Sequence, residues 1–220
     1  MQNLINHFIQ KKIITYERIA EAFEVVDRKN FVNDPNSEMV YQNEPLSLGF
    51  GAVISSPQIY AIYLSLLFPK LFPGSKVLDI GSGKGYSMAL IGTIIGPKGK
   101  VYGVEHVPEL VEESKKALEK DQPELYKKGV FEVFEKDGFE GLPDFEPYDA
   151  ILVGGACEKI PENILLQLKP YGRMVIPIGS PNTKQKLTII DKMPDGKIAI
   201  FTNKQAKFSS LMSLEDQLKI

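Results

Sequence analysis

Apolar residues in the first thirty positions recur at helical spacing. In "LINHFI" Leu4, Ile5, Phe8 and Ile9 share one face, and in "TYERIAEAFEVV" Ile19, Phe23 and Val26 repeat at i, i+4 and i+7. These patterns predict two short helices, the second capped by Thr15. The stretch "VNDPNSEMVYQNEPLSLGFGAV" keeps neither helical nor strand period and carries Pro, Asn and Gly, so it reads as mostly loop. A loop of that length with apolar residues inside a compact domain is expected to be functional. Beyond it the period changes. "KVLDI" (76–80), "KVYGVE" (100–105), "VFEVF" (130–134), "DAILV" (149–153) and "RMVIPI" (173–178) read as strands. The segments "YSMALIGTII", "PELVEESKKALEK" and "PENILLQLK" between them read as helices, two opening on a proline. Such alternation predicts an α/β domain with a parallel sheet and helices on both faces. "KLTIID" and "KIAIF", joined by the turn signal "KMPDG", predict a final antiparallel hairpin.

The chain has 220 residues, enough for one sizeable domain, with 43% apolar and 25% charged residues, the balance of a globular protein. A net charge of −2 argues against a nucleic-acid binder, whose phosphate contacts require a basic face. Cys157 stands alone and only His7 and His106 are present, so neither a disulfide framework nor a metal-ligand cluster is expected. The lysines of "MQNLINHFIQKK" follow its apolar residues, the reverse of a secretory signal, and no apolar run approaches a membrane span. A cytoplasmic protein, without membrane or nucleic-acid partners, is the expectation.

"VLDIGSGKGYS" follows a strand and opens a helix, which places a ligand at that strand's carboxyl end. The triphosphate-binding loop requires Ser or Thr after Gly-Lys, and Gly85 stands there instead. The dinucleotide fingerprint requires a third Gly where Tyr86 stands. Asp79, at the strand's end beside Gly81, Ser82 and Gly83, is expected to repel a diphosphate and attract a cation. S-adenosylmethionine meets that description: it has no phosphate and carries an ammonium and a sulfonium. Glu105 ends the next strand 24 residues after Gly81, near the offset at which an acid accepts from ribose hydroxyls. Asp137-Gly138, past the following strand, can offer an oxygen to an adenine amino group. His106 is expected by the ribose or adenine. Singly, Glu105 reads as a solvated acid and Asp137 as a turn residue; at the ends of consecutive strands they read together as a nucleoside site.

With these motifs in place the chain resembles the protein-L-isoaspartate (D-aspartate) O-methyltransferases, from about Leu4 to about Ile190. "PLSLGFGAVISSPQ" is similar to the family's Pro-Leu-x-Ile-Gly-x-Gly-x-Thr-Ile-Ser-x-Pro-His segment, and "LDIGSGKGY", "VEHVPELV", "DG", "PYDAILVGGA" and "LLQLKPYGRMVIPIG" follow in family order. Departures fall at Val53 and Gln58, in "GGACEK" and "PYG", and in the stretch after Ile200. The resemblance implies a Rossmann-like class I S-adenosylmethionine-dependent methyltransferase fold with short N-terminal helices and a C-terminal hairpin. It implies one domain over 1–220: N-terminal helices and substrate or cofactor loop in 1–56, the Rossmann-like core in 57–180, hairpin and tail in 181–220. The implied reaction methylates the free carboxylate of L-isoaspartyl or D-aspartyl residues in damaged proteins, which begins their repair. A monomer is expected.

A carboxylate is ionised at neutral pH, its unperturbed pKa being ~3.5–4, so such a substrate brings its own nucleophile and requires no general base. The protein has to orient the carboxylate oxygen towards the methyl and exclude water. In "VISSPQIY" Ser56 and Pro57 read as N-cap and first residue of a helix. Ser55 is left open, on the residues alone, between a turn hydroxyl and a substrate contact. The resemblance assigns Ser55 to the catalytic site. Within the same segment Ala52, Val53, Ile54 and Ser55 are implied cofactor contacts, and Gln58 and Tyr60 are substrate-side candidates. Two other readings stand beside this one: a carboxyl methyltransferase for a small acid, and a cofactor-binding module without catalysis. Cys157 reads as an ordinary loop thiol.

Overall fold

The structure is a computed structural model that describes residues 1–181 and 183–219, with Lys204 described by its backbone alone. Nine strands form two sheets among the described residues. The larger has the order β5-β4-β3-β6-β7-β8-β9. Its strands are β3 (Lys76–Ile80), β4 (Lys100–Glu105), β5 (Phe131–Glu135), β6 (Tyr148–Val153), β7 (Leu168–Ile178), β8 (Gln185–Lys192) and β9 (Ile198–Ala206). Strands β5, β4, β3, β6 and β7 run parallel, and the β8–β9 hairpin closes one side antiparallel. The expected strand–helix alternation and final hairpin are both present.

Alternation along β3 separates the two cores. Val77 joins the apolar layer beneath α3 (Pro57–Leu67), α4 (Tyr86–Ile95) and α5 (Pro108–Asp121), whereas Leu78 and Ile80 join the opposite layer with Val104, Ile151, Val153 and Ile176. Helix α4 is apolar on nearly all sides because it is enclosed between the sheet and α2 (Glu17–Val25), and the Arg18 side chain donates to the Ile94 carbonyl at its end. The first helix, α1 (Gln2–Gln10), buries Ile5 and Phe8 on this same side.

Local chemistry and tertiary structure disagree at three places. Thr15 is not the cap of α2: Tyr16 holds that position, with no side-chain capping bond. The segment expected as loop, preceded by a single-turn 3-10 helix at Arg28–Phe31, contains a second such helix at Glu38–Tyr41 and most of a small hairpin of β1 (Leu46–Gly49) and β2 (Ala52–Ile54). The helix Glu162–Leu166 ends before the expected Lys169, because Leu168 is already in register with Tyr148 of β6. Pairing with a buried strand outweighs helix propensity there. The ladder then shifts so that Arg173 faces Ala150, with Tyr171 in the left-handed region at φ 65°.

Candidate active site

The order in which successive strands are laid down reverses at β3: β4 and β5 lie on one side of it, β6 and β7 on the other. Open α/β sheets place ligands at such a switch point, beyond the strands' carboxyl ends. A cavity of about 250 Å³ lies there. Gly81 and Gly83 of the glycine loop, Val104 and Glu105 of β4, and Gly154 after β6 line its base, and Ala52, Val53 and Ser55 line one wall.

The glycine loop is held by backbone bonds. Gly81 and Ser82 donate their N–H groups to the Val104 carbonyl at 2.9 and 3.1 Å, and Gly81 turns at φ 74°, a conformation costly for other residues. Lys84, which a phosphate loop would direct at its ligand, points away. Its side chain is 9% exposed, and its ammonium pairs with Glu113 of α5 at 2.7 Å and donates to the Asn33 side chain. The lysine thus anchors the loop to α5 and to the segment before β1.

Asp79 lies below the cavity rather than in its lining. Its carboxylate is 1% exposed, faces α4, and accepts from the Ser87 hydroxyl at 2.5 Å. Burial pushes its pKa up to about 7; the Ser87 bond opposes this and nearby Glu105 adds to it. The expected open carboxylate for a cationic ligand is corrected: β-strand alternation turns Asp79 from the Ile80 face into the helix layer. Ser82 and Ile54, also expected to touch the cofactor, are buried outside the cavity lining.

Glu105 lines the cavity and does more than offer a free carboxylate. One oxygen accepts from the Gly83 N–H at 3.0 Å, the other from the N–H groups of His106 and Val107 at 2.9 and 3.1 Å. A carboxylate has about four acceptor sites, so roughly one is left for a ribose hydroxyl. Gly138 lines the cavity and Asp137 does not: its Oδ1 accepts from the Phe139 N–H at 2.9 Å in a local turn beside an adjoining groove.

Ser55 faces the cavity, directly before the helix opened by Pro57. Ser56 occupies the N-cap position of α3 without a side-chain capping bond. The cap comes instead from Asn43, whose Oδ1 accepts from the Gln58 N–H at 3.0 Å while its amide donates to the Gln58 Oε1 at 3.1 Å. Gln58 is therefore paired within the protein, on both its backbone and its side chain. Tyr60 lies outside the main cavity, beside a small adjoining hollow, with its ring packed edge-on against Tyr86 at 5.0 Å between centroids.

The remaining wall comes from the C-terminal tail, which the sequence did not assign to the site. Ser209, Ser210, Leu211 and Met212 line the cavity. The tail is laid against the loop after β6 by Ala156 N–H to the Ser209 carbonyl at 2.7 Å and Leu211 N–H to the Ala156 carbonyl at 2.8 Å. Gly155 permits this approach, since a Cβ there would lie 2.9 Å from Leu211 backbone atoms. Farther on, Gln217 spans the mouth. Its amide donates to the Phe50 carbonyl at 2.9 Å, and its Oε1 lies 2.8 Å from His106 Nε2. A helix-start signal is legible in "SLED", where Ser213 and Asp216 exchange capping bonds, but nothing local says where that turn docks. Cys157, buried and pushed up to about 11 by burial, is an inert thiol.

Among the described residues the cavity lining contains no Lys or Arg, and Glu105 is its single carboxylate. That donor set suits an uncharged or cationic nucleoside and opposes a polyphosphate.

Comparison with known proteins agrees with this geometry. The family model for protein-L-isoaspartate (D-aspartate) O-methyltransferase matches residues 1–216. Protein-L-isoaspartate O-methyltransferase 1 of Arabidopsis thaliana is 42% identical over 220 residues, covering 100% of this chain and 92% of its own. The Aeropyrum pernix protein of the same name is 43% identical over 195 residues, covering 89% and 72%. Among solved structures, a Plasmodium falciparum protein described as a putative protein-L-isoaspartate O-methyltransferase in complex with S-adenosyl-L-homocysteine superposes with a TM-score of 0.85. It is 28% identical, and the match covers 96% of this chain and 97% of that one. The chain belongs to the protein-L-isoaspartate (D-aspartate) O-methyltransferase family.

Proposed function

We propose that this protein methylates the free carboxylate of isoaspartyl residues in damaged proteins and peptides, initiating their repair, with S-adenosyl-L-methionine as methyl donor. The observation that carries this reading is a nucleoside-sized cavity whose described lining has a glycine floor, one carboxylate and no Lys or Arg, with Ser55 at its edge. When bound, S-adenosylmethionine supplies an electrophilic methyl group on a sulfonium. Gly81, Gly83 and Gly138 let the backbone approach it, Glu105 offers its remaining acceptor site to the ribose, and His106, Ala52 and Val53 border it. Ser55 donates one hydrogen bond to the substrate carboxylate. A neutral donor orients the oxygen without stabilising its charge as strongly as Lys or Arg, which preserves its nucleophilicity. The tail excludes water from the same space.

The same reading treats the chain as one cytoplasmic, monomeric methyltransferase domain. The continuous sheet from β5 to β9 supports a single domain; no described helix is long and apolar enough to cross a membrane. The test is methyl transfer to an isoaspartyl peptide and to its aspartyl isomer. Transfer to the first alone is expected, because orientation is the main catalytic device. Equal rates on both would overturn the repair reading, and cofactor binding without transfer to either would leave only a binding module.

A further inference from the structure

We propose that Lys84 is a positioning residue: through Asn33 it fixes where the β1–β2 hairpin, and with it Ser55, sits above the glycine loop; this rests on the function proposed above. Lys84 follows Gly83 directly in "GSGKG", the place from which a phosphate loop addresses its ligand. Here it does not line the main cavity, and its side chain is only 9% exposed. A buried ammonium costs free energy unless it is paired, and the partners of this one lie on two different elements.

One partner is Glu113 of α5, whose Oε2 lies 2.7 Å from the ammonium; the other is Asn33, whose Oδ1 accepts from it. Asn33 passes the connection on, since its Nδ2 donates to the Ser47 carbonyl of β1 at 3.4 Å. The hairpin lies directly on the loop: a Cβ built on Gly83 would stand 3.2 Å from Leu48 Cδ1. Leu48, Val53 and Ile54 face Gly81, Gly83 and Lys84 across a hollow of about 20 Å³. Glu113 balances the charge of the ammonium, so the bond to Asn33 comes without a free cation next to a cavity suited to a cationic ligand.

The hairpin requires such a hold. It is a two-stranded sheet separate from the main one, and two strands alone are marginal in water. Each strand buries one side chain, Leu48 in β1 and Ile54 in β2, while Ser47 and Val53 are exposed. Those apolar contacts decide which face of the hairpin is down, but they are non-directional and leave its place along the loop open. The bond from Lys84 to Asn33 is directional. It starts one residue from Gly83, which Glu105 holds through its N–H at 3.0 Å. Ser55 directly follows the end of β2, so a shift of the hairpin is a shift of its hydroxyl relative to the methyl donor. Transfer requires the reacting atoms to be aligned about 3–3.5 Å apart, and a misplacement of about 1 Å costs up to roughly 100-fold in rate.

The test separates the two arms of the lysine, read by single-turnover methylation of an isoaspartyl peptide, S-adenosyl-L-homocysteine affinity and thermal unfolding. Asn33→Ala removes the arm to the hairpin and leaves the pair with Glu113, whereas Lys84→Met keeps the buried stem and removes both arms. Each should lower the methylation rate about three- to tenfold with Kd changed by less than about twofold, and the double variant should be no slower than the slower single one. Asn33→Asp keeps an acceptor for Lys84, now ionic, but turns an oxygen instead of a donor towards the Ser47 carbonyl. It should be as slow as Asn33→Ala although its Tm is no lower than that of the wild type. A lysine with a merely structural role would give rates that follow Tm, so Asn33→Asp reacting at the wild-type rate would overturn the proposal. Full activity of Asn33→Ala, or losses that multiply in the double variant, would do the same. Asn33 is exposed, so its two variants decide the question even if Lys84→Met does not fold. If the wild type itself left the isoaspartyl peptide unmethylated, the proposed function would fail and the role of Lys84 with it.

Discussion

Replacing Glu105 by alanine removes the acceptor of three backbone N–H groups, those of Gly83, His106 and Val107. These bonds join the glycine loop to the loop after β4, and the side chain is only 6% exposed. A hydrogen bond to a charged group contributes about 1.5–3 kcal/mol, and an orphaned buried donor costs about 1–3 kcal/mol. Water entering from the cavity restores part of this, so a loss near the lower end of the sum, about 3–5 kcal/mol, is expected. For a domain of this size that corresponds to a fall in Tm of roughly 10 °C. Glu105→Gln should fall between wild type and Glu105→Ala: its carbonyl can still accept, but its amide cannot serve both clusters of N–H donors. Thermal unfolding with and without saturating S-adenosyl-L-homocysteine reads both roles together. The wild-type Tm should rise with ligand, and Glu105→Ala should start lower and rise less. A variant that melts within about 2 °C of wild type without ligand would refute the argument that the carboxylate is structural before it is a ribose acceptor.

At the start of α3, Asn43→Ala should cost ~0.5–2 kcal/mol in denaturant unfolding while Ser56→Ala stays within about 0.5 kcal/mol, because Asn43 supplies the cap; the reverse ranking would contradict that assignment. Asp79 gives a pH dependence. Its pKa rises from 3.8 to about 7 on folding, so between those values the folded chain holds the proton more than the unfolded chain does. Its contribution to stability is therefore greatest below that window and is lost as pH rises through it, by at most ~1.4 kcal/mol per pH unit. Asp79→Asn should gain on wild type across this window, and parallel stability–pH profiles would count against the assignment. Gln217→Ala removes both bonds across the cavity mouth, so S-adenosyl-L-homocysteine should dissociate roughly three- to tenfold faster in a stopped-flow displacement, whereas an unchanged off-rate would show that the bridge does not retain the ligand.

Local periodicity was enough to read the core of this protein. Val77, Leu78 and Ile80 alternate between two layers, α4 is apolar throughout because it is enclosed, and "GSGKG" between a strand and a helix marks the ligand end of the sheet. Those features depend on neighbours a few residues apart, which is what a sequence displays directly. Elsewhere the outcome depended on partners far along the chain. "SSP" advertises its own cap, yet Asn43 arrives from 15 residues away and supplies it. Asp79 stands beside the glycines in sequence, but the pleat sends its carboxylate into the α4 layer to meet Ser87. Glu105 reads as a strand-end acid until the loops on either side are seen to hang from it. The tail shows no period, and it nonetheless forms one wall of the cavity, joined to Phe50 across 167 positions. Short-range spacing determined most of the elements and the alternation of strand and helix that makes the sheet parallel. Long-range hydrogen bonds and close backbone approach, which no window of sequence contains, decided which groups face the ligand.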